Sequence, residues 1–460
     1  GDSPYQCFSA FAGNPLLIDL ESLVSQGFLG EGEVSSSFPA GEVLYDKVEA
    51  FKDRALRRSY QTFQDSGAES WKGAWEIFQR ENDYWLEDFC LFMALRRHFD
   101  GAVWTEWDED IALRSRSAMV YWREKLDNEV NYQKYLQFLF NRQWQQVRAY
   151  AHEKDIEIIG DVPIFVGHDS ADVWAHRELF RLDEHGSPTV VAGVPPDYFS
   201  ATGQLWGNPH YRWDVMKDNG YAWWTARLRR TFSRVDRVRL DHFRGFAGYW
   251  EIPADAETAV NGRWVKGPGV DFFQTLREGL GELPIIAEDL GIITRDVEEL
   301  RKEFGFPGMK VLQFAFGSDG ANPALPHNYS PNMVVYTGTH DNDTSLGWYD
   351  SLDEKTKHRV RVYTGTDGST VNWALMRLAL NSVAKMAIFP LQDVLGLGSE
   401  ARLNVPGKAH GNWTWRYEAD DLDQEAANSL CELSTVSGRW ILCKEESLGS
   451  QFPEITYEEP

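Results

Sequence analysis

Three short acidic motifs sit at intervals along the chain, each just after a strand-like run. They are Arg239-Leu240-Asp241-His242, Ala287-Glu288-Asp289-Leu290-Gly291 and Thr339-His340-Asp341-Asn342-Asp343. Carboxylates delivered in this way to one rim of a sheet form a cluster suited to splitting glycosidic bonds. On a strand, residues two apart share a face, so Arg239 and Asp241 point the same way. An arginine beside a carboxylate favours its ionised form, as a carboxylate nucleophile requires. Glu288 ends the apolar approach Pro284-Ile285-Ile286-Ala287, where desolvation lets a carboxyl group keep its proton near neutrality, as a general acid must. His340 and Asp341 follow a third apolar run and suit hydrogen bonding to sugar hydroxyls. Taken singly, each motif also has a plain structural reading: an Arg-Asp pair, a helix cap, a capped turn. No second histidine stands at metal-ligand spacing from His340, so no metal site is expected.

Other residues could serve the same chemistry. Asp161 closes an apolar run in Gly160-Asp161-Val162-Pro163, while Asp169 reads as a helix cap. The stretch from Asp197 to Pro209 mixes aromatic rings and amides in a loop, with Gln204 and Trp206 at its centre. Trp206 and Trp348 lie in Gly- and Asn-containing segments where a flat ring suits stacking on a sugar face. Asn261 to Gly269 reads equally as a lid on glycine hinges or as an ordinary hairpin.

The elements that must position these groups alternate. Strand-like runs lie at Ile156–Asp161, Val235–Leu240, Leu283–Ile286, Lys310–Phe316, Met333–Tyr336 and Met386–Leu391, with helical patterns between them. Such alternation implies a parallel sheet of the α/β class, and a (β/α)8 TIM barrel gathers its chemistry at the C-terminal strand ends. The runs supply six strands, short of the eight of a closed barrel. Residues 1–30 are turn-rich. Residues 31–150 read as a helical insertion, with apolar pairs three and four apart in Phe89–Leu95 and Tyr135–Phe140. Residues 151–460 hold the catalytic strands and end in an acidic, turn-rich tail from Lys444.

Composition narrows the partners. Asp and Glu total 70 against 46 Lys and Arg, a formal charge of −24, which argues against nucleic acid and anionic membranes. No apolar run approaches the roughly 20 residues that span a bilayer. Cys7, Cys90, Cys431 and Cys443 show no C-x-x-C spacing and read as reduced thiols. The expected setting is a cytoplasm-like compartment, or a plastid if a transit peptide precedes the chain. No residue pattern points to an oligomeric state.

Further stretches carry a family resemblance: Gly1-Asp2-Ser3-Pro4-Tyr5-Gln6, Phe8 to Asn14, Gly160 to Trp174, Gly203 to Pro209, Arg239 to Phe246, Ala287 to Gly291 and Gly338 to Thr344. In that order, over almost the whole chain, they resemble the amylomaltase or 4-α-glucanotransferase family of the α-amylase clan. The resemblance implies transfer of α-1,4-glucan segments between maltooligosaccharides, with α-glucan donor and acceptor sugars as partners and no cofactor. It implies Asp241 as nucleophile, Glu288 as acid/base and Asp341 as a third carboxylate. Arg239, His340 and Asp161 would line the same subsite, Tyr5 would stack there, and Gln204 and Trp206 would meet the acceptor. His242-Phe243-Arg244-Gly245 after Asp241 favours the transferase branch over the hydrolases, which carry a Lys-His pair there. Family members also resemble each other before the Gly1-Asp2-Ser3 motif, so the first barrel strands are expected to be missing from this chain. The competing expectations are an α-glucan hydrolase and a glucan-binding protein without turnover.

Overall fold

The computed structural model describes residues 3–36, 38–66, 69–196, 200–408 and 410–439. The acidic tail from Lys444, Cys443, and the Asp197–Phe199 part of the aromatic loop lie outside the described residues. The chain divides into two units. The first comprises Gly1–Pro39, Val43–Met309 and Gly407–Trp413, and the second Ala40–Glu42, Lys310–Pro406 and Thr414–Pro460.

Among the described residues ten strands form, in chain order β1 (Ile159–Pro163), β2 (Val190–Val194), β3 (Gln204–Pro209), β4 (Arg237–Asp241), β5 (Gly248–Pro253), β6 (Arg263–Lys266), β7 (Ile285–Ala287), β8 (Gly308–Val311), β9 (Met333–Tyr336) and β10 (Met386–Ile388). In the first unit β1, β4 and β7 make a parallel three-stranded sheet in the order β1-β4-β7. Its register sets Asp161 opposite Arg239 and Leu240 opposite Ala287. β4 alternates as its sequence requires: Val238 and Leu240 are fully buried, while Arg239 and Asp241 take the other face. β7 is buried throughout. A second, antiparallel sheet has the order β3-β2-β5-β6. Arg263–Lys266, inside the stretch that read as lid or hairpin, pairs here with β5, and Trp264 packs edge-on to Trp250.

Among the described residues the helical stretch holds three long helices, Tyr45–Ser66, Glu69–His98 and Asp127–Glu153. The segment from Tyr135 to Phe140 is buried along its whole length against the first unit's aromatic core. Arg57 bridges to Glu129, and Lys134 to Glu87, so charges inside this region meet their opposites. In the second unit β9 and β10 pair in parallel, within a sheet ordered β10-β9-β8. Its core gathers Leu312, Val335, Val371 and Leu375.

Several strand bounds differ from the sequence reading. Ile156–Ile158 precede β1, because Ile156 N–H bonds to Ala151 O and closes the preceding helix, with Asp155 left-handed at φ 55°. Val235 N–H likewise returns to Thr231 O, and the strand begins at Arg237. Beyond Val311 the chain turns into a 3-10 helix, Leu312–Phe314, so the apolar run to Phe316 is strand only at its start. Asp169 is not a helix cap. Ser170 caps the helix Ala171–Ala175 through Val173 N–H, and Asp169 pairs with Arg96.

Candidate active site

At the C-terminal ends of β1, β4 and β7 the side chains form one connected set. Arg239 donates from Nη1 to Asp161 Oδ2 at 2.6 Å and from Nη2 to Asp241 Oδ1 at 2.7 Å. Tyr5 donates its hydroxyl to the same Asp161 oxygen at 2.7 Å. Ser3 and Pro4 start the 3-10 turn that carries Tyr5, with Ser3 Oγ accepting Tyr5 N–H. Arg239 is largely covered. Burial works against its charge, but Asp241, Asp161 and Glu288 outweigh it and hold the guanidinium above its ordinary range. Burial and the nearby Asp161 and Asp241 push the Tyr5 phenol up, so it stays a donor.

Glu288 follows Ala287 and so comes level with Asp241, one step past the Leu240–Ala287 pair. Its main chain is locked to β4: Glu288 N–H donates to Leu240 O and Phe243 N–H donates to Glu288 O, both at 3.1 Å. Its carboxyl accepts His242 N–H at Oε2 and Leu290 N–H at Oε1, each at 2.8 Å. Burial, then the charge of Asp241, pushes this carboxyl from 4.5 up to about 7, against the pull of Arg239 and the two amides. The next residue, Asp289, faces elsewhere. It pairs with Arg301 at 3.1 Å and accepts Met309 N–H at 2.7 Å. Adjacent acids after one strand thus divide into a proton-holding group and a structural tie.

Trp206 on β3 stands edge-on to His242, with ring centroids 4.8 Å apart, and donates its Nε1–H to Gln204 Oε1 at 3.1 Å. Gln204 is exposed and Trp206 half-buried. The first unit therefore brings together Tyr5, Asp161, Arg239, Asp241 and Glu288 directly, and Trp206 and Gln204 through His242.

His340 and Asp341 belong to the second unit, in the loop after β9. Asn342 Oδ1 accepts both the N–H and the hydroxyl of Thr339 at 2.9 Å, which folds the loop tightly. His340 Nε2 lies 3.3 Å from Asp341 Oδ1. Asn404 Nδ2 donates to that oxygen at 2.6 Å, and Arg402 Nη2 donates to Asp341 O at 2.7 Å.

Three features escaped the sequence reading. Trp413, left-handed at φ 62°, sets its ring 6.1 Å from that of Tyr5, and Tyr45 holds its carbonyl at 2.6 Å. Its place after Gly411-Asn412 is the signal that singled out Trp206. His242 lies within the Asp241 motif, but its contact with Trp206 was not read from it, and the Arg402–Asn404 clip carries no motif. Among the described residues no three His, Cys, Asp or Glu side chains cluster as metal ligands do, and no helix is long and apolar enough to cross a membrane.

Two carboxyl groups of unlike environment at neighbouring strand ends, beside rings able to stack, are equipment shared by glycoside-processing enzymes. Comparison with known proteins makes the class specific. Residues 1–422 match the family described as 4-alpha-glucanotransferase, glycoside hydrolase family 77, and the chain belongs to that family. A 4-alpha-glucanotransferase of Synechocystis is 50% identical over 96% of this chain and 88% of its own length. One from Solanum tuberosum, named as chloroplastic/amyloplastic, is 45% identical over 95% of this chain and 77% of its own. The amylomaltase from Streptococcus agalactiae, solved in complex with acarbose, superposes with a TM-score of 0.92 at 38% identity, covering 95% of this chain and 89% of that one.

Proposed function

We propose that the protein moves α-1,4-glucan segments between maltooligosaccharides by a retaining double displacement. Asp241 attacks the anomeric carbon, the glycosidic C–O bond breaks, and Glu288 gives its proton to the leaving oxygen. The 4-hydroxyl of a second glucan then returns a proton to Glu288 as its oxygen displaces Asp241. The observation that carries this reading is the unequal pair at level strand ends. Asp241 is bonded to a guanidinium, whereas Glu288 is pushed up to about 7 beside it. A group near 7 can serve as acid in the first step and base in the second.

Arg239 and Asp161 then orient the nucleophile and the donor sugar, and Tyr5 offers a ring fixed by its bond to Asp161. The resemblance gives Asp341 the part of the third carboxylate and His340 that of a hydroxyl donor. The hold of Asn404 and Arg402 supports a fixed orientation for that loop. Exposed Gln204 and half-buried Trp206 suit an acceptor sugar. We further infer a (β/α)8 frame, supported by the parallel pairings β1-β4-β7 and β9-β10 and by helices between successive strands. Free thiols at Cys7, Cys90 and Cys431 support a reducing compartment, cytoplasmic or plastidial.

Incubation with maltotriose tests the function. Glucose together with longer oligomers is the expected outcome. Release of shorter sugars alone would make the chain a hydrolase, and binding without turnover would make it a glucan-binding protein. Mass analysis of Glu288→Gln after reaction with an activated glucosyl donor should find a glucosyl group on Asp241.

A further inference from the structure

The residue after Asp241 adopts a left-handed backbone, which few non-glycine residues take. His242 is left-handed, φ 53° and ψ 49°, and caps the 3-10 helix Phe243–Phe246. That twist turns the chain across to β7. It aims His242 N–H at Glu288 Oε2, 2.8 Å away, and lets Phe243 N–H reach Glu288 O. A backbone amide cannot be removed by substitution, but its direction can be lost with the dihedral. Asparagine, aspartate and histidine enter the left-handed region more often than other non-glycine residues, and for β-branched side chains it is most costly.

Something must hold the twist, and the imidazole is placed to do so. Its ring stands at 86° to Trp206, with centroids 4.8 Å apart. The ring also meets Gly245, where a Cβ would come 3.2 Å from His242 Cδ2 and 2.7 Å from Ile164 Cδ1. The glycine leaves room for the ring, and the ring fills it. Burial, with the charges of Arg244 and His210, pushes the imidazole down to about 3, so it packs as a neutral group at working pH.

We propose that His242 is a positioning residue for the acid/base: its left-handed backbone presents the amide to the Glu288 carboxyl, and its ring, braced by Trp206, keeps that backbone in place. This rests on the reading of Glu288 as acid/base. The consequence is a link between strand β3, which carries Trp206, and proton transfer. A movement of Trp206 on binding a sugar would release or tighten a hydrogen bond to the group that exchanges the proton. An amide donor favours the ionised carboxylate, so a weaker bond raises the pKa of Glu288. The other charges acting on Glu288 are Asp241 and Arg239 from β4. Arg239 in turn meets Asp161 from β1 and Tyr5 from the N-terminal turn. None of these is altered by a change at position 242.

The test is the pH profile of kcat/KM for maltotriose disproportionation in His242→Val, His242→Asn, Trp206→Ala and Glu288→Gln. His242→Val should lower kcat about tenfold and move the basic limb upward by about one unit, because the β-branched residue abandons the left-handed backbone. His242→Asn, at home in that region, should keep the limb near its wild-type position. Trp206→Ala should move the limb in the same direction by a smaller amount, and it tests the brace even if His242→Val does not fold. Unmoved limbs in folded His242→Val and in Trp206→Ala would overturn the proposal. Glu288→Gln separates the two failures: near wild-type turnover there would overturn the acid/base reading itself, whereas loss of turnover with unmoved limbs elsewhere overturns only the role of His242.

Discussion

Carboxylates at the ends of β4 and β7 and carboxylates in the second unit are stabilised in opposite ways. In the first unit Asp161 and Asp241 both lean on Arg239, and Glu288 adds a third acid within reach of its charge. In the second unit Asp393 is 1% exposed and is held by neutral donors: Ser345 N–H and Oγ–H, both at 2.7 Å, and Thr337 Oγ1–H at 2.6 Å. Asp343 similarly accepts Thr344 N–H and Ser399 Oγ–H. A carboxylate caged by several neutral donors is fixed in place and ties loops together. Around the shared cation the buried Glu288 is the group pushed up, first by burial and then by the charge of Asp241. Burial alone therefore does not mark a reactive acid. What marks it is burial beside a like charge, with too little positive charge to settle both.

The sharpest way to break this contrast is to neutralise one acid from each region. Asp241→Asn and Glu288→Gln should each lower transfer from maltotriose by about 10³-fold or more, without loss of stability. Asp393→Asn should do the reverse. It disturbs a buried hydrogen-bond set at a cost of about 1–3 kcal/mol, seen as a lower Tm, while turnover per folded molecule stays within a few-fold. A rate loss at Asp393 matching that at Glu288, without loss of stability, would erase the distinction.

The shared cation is the next target. Arg239→Met removes the partner of both Asp161 and Asp241 and the attraction that restrains Glu288. Activity should fall on the order of 10²-fold. The basic limb of the pH profile should move upward, because losing a positive neighbour raises a carboxyl pKa. A limb that stays in place would show that Arg239 serves geometry and not charge balance.

Proton affinity also has a stability signature. Glu288 is raised from 4.5 to about 7, chiefly by burial. Between those values the folded chain keeps a proton that the unfolded chain has released, so stability falls as pH rises through the window. The contribution is fully present below pH 4.5 and lost above about 7, a difference of about 3 kcal/mol. Glu288→Gln abolishes the titration. At pH 8 the variant should therefore melt a few degrees above the wild type, and near pH 4.5 the two should converge. Equal gaps at both pH values would mean that the carboxyl is not desolvated.

The same contrast explains what the sequence disclosed. Arg239 and Asp241 were legible because strand periodicity is short-ranged and strict, and Val238 and Leu240 between them fix the faces. The β9 run Met333–Tyr336 was legible because all four residues are buried and apolar. The β8 run misled because apolar residues continue into the 3-10 turn Leu312–Phe314, and hydrophobicity does not tell the two apart. Asp169 misled because Ser170, one residue on, is an equally good cap, and Arg96, far away in sequence, claims the acid. The dihedral of His242 was not legible, since histidine is only moderately enriched in the left-handed region and its type alone does not place it there. Nor was the hold of Asn404 on Asp341, made across a separation of 63 residues with no motif around Asn404.

That last contact gives the smallest predicted effect, and it places Asp341 on one side of the contrast or the other. Asp341 has a neutral amide donor at 2.6 Å, like the acids of its own unit, yet the resemblance groups it with Asp241 and Glu288. If it is a third carboxylate that steadies the transition state, Asp341→Asn should cost on the order of 10²-fold in kcat/KM. Asn404→Ala should then cost only what one positioning hydrogen bond is worth. That is roughly 0.5–1.5 kcal/mol, or threefold to tenfold in rate. The backbone bond from Asn404 N–H to His340 O survives the substitution, so the loop itself should stay folded. Asn404→Asp should be worse than Asn404→Ala, because it sets a second negative charge against Asp341 where a donor stood. If instead Asp341→Asn is nearly silent in rate and lowers Tm, Asp341 is a loop tie like Asp393, and catalysis must rest on the pair in the first unit.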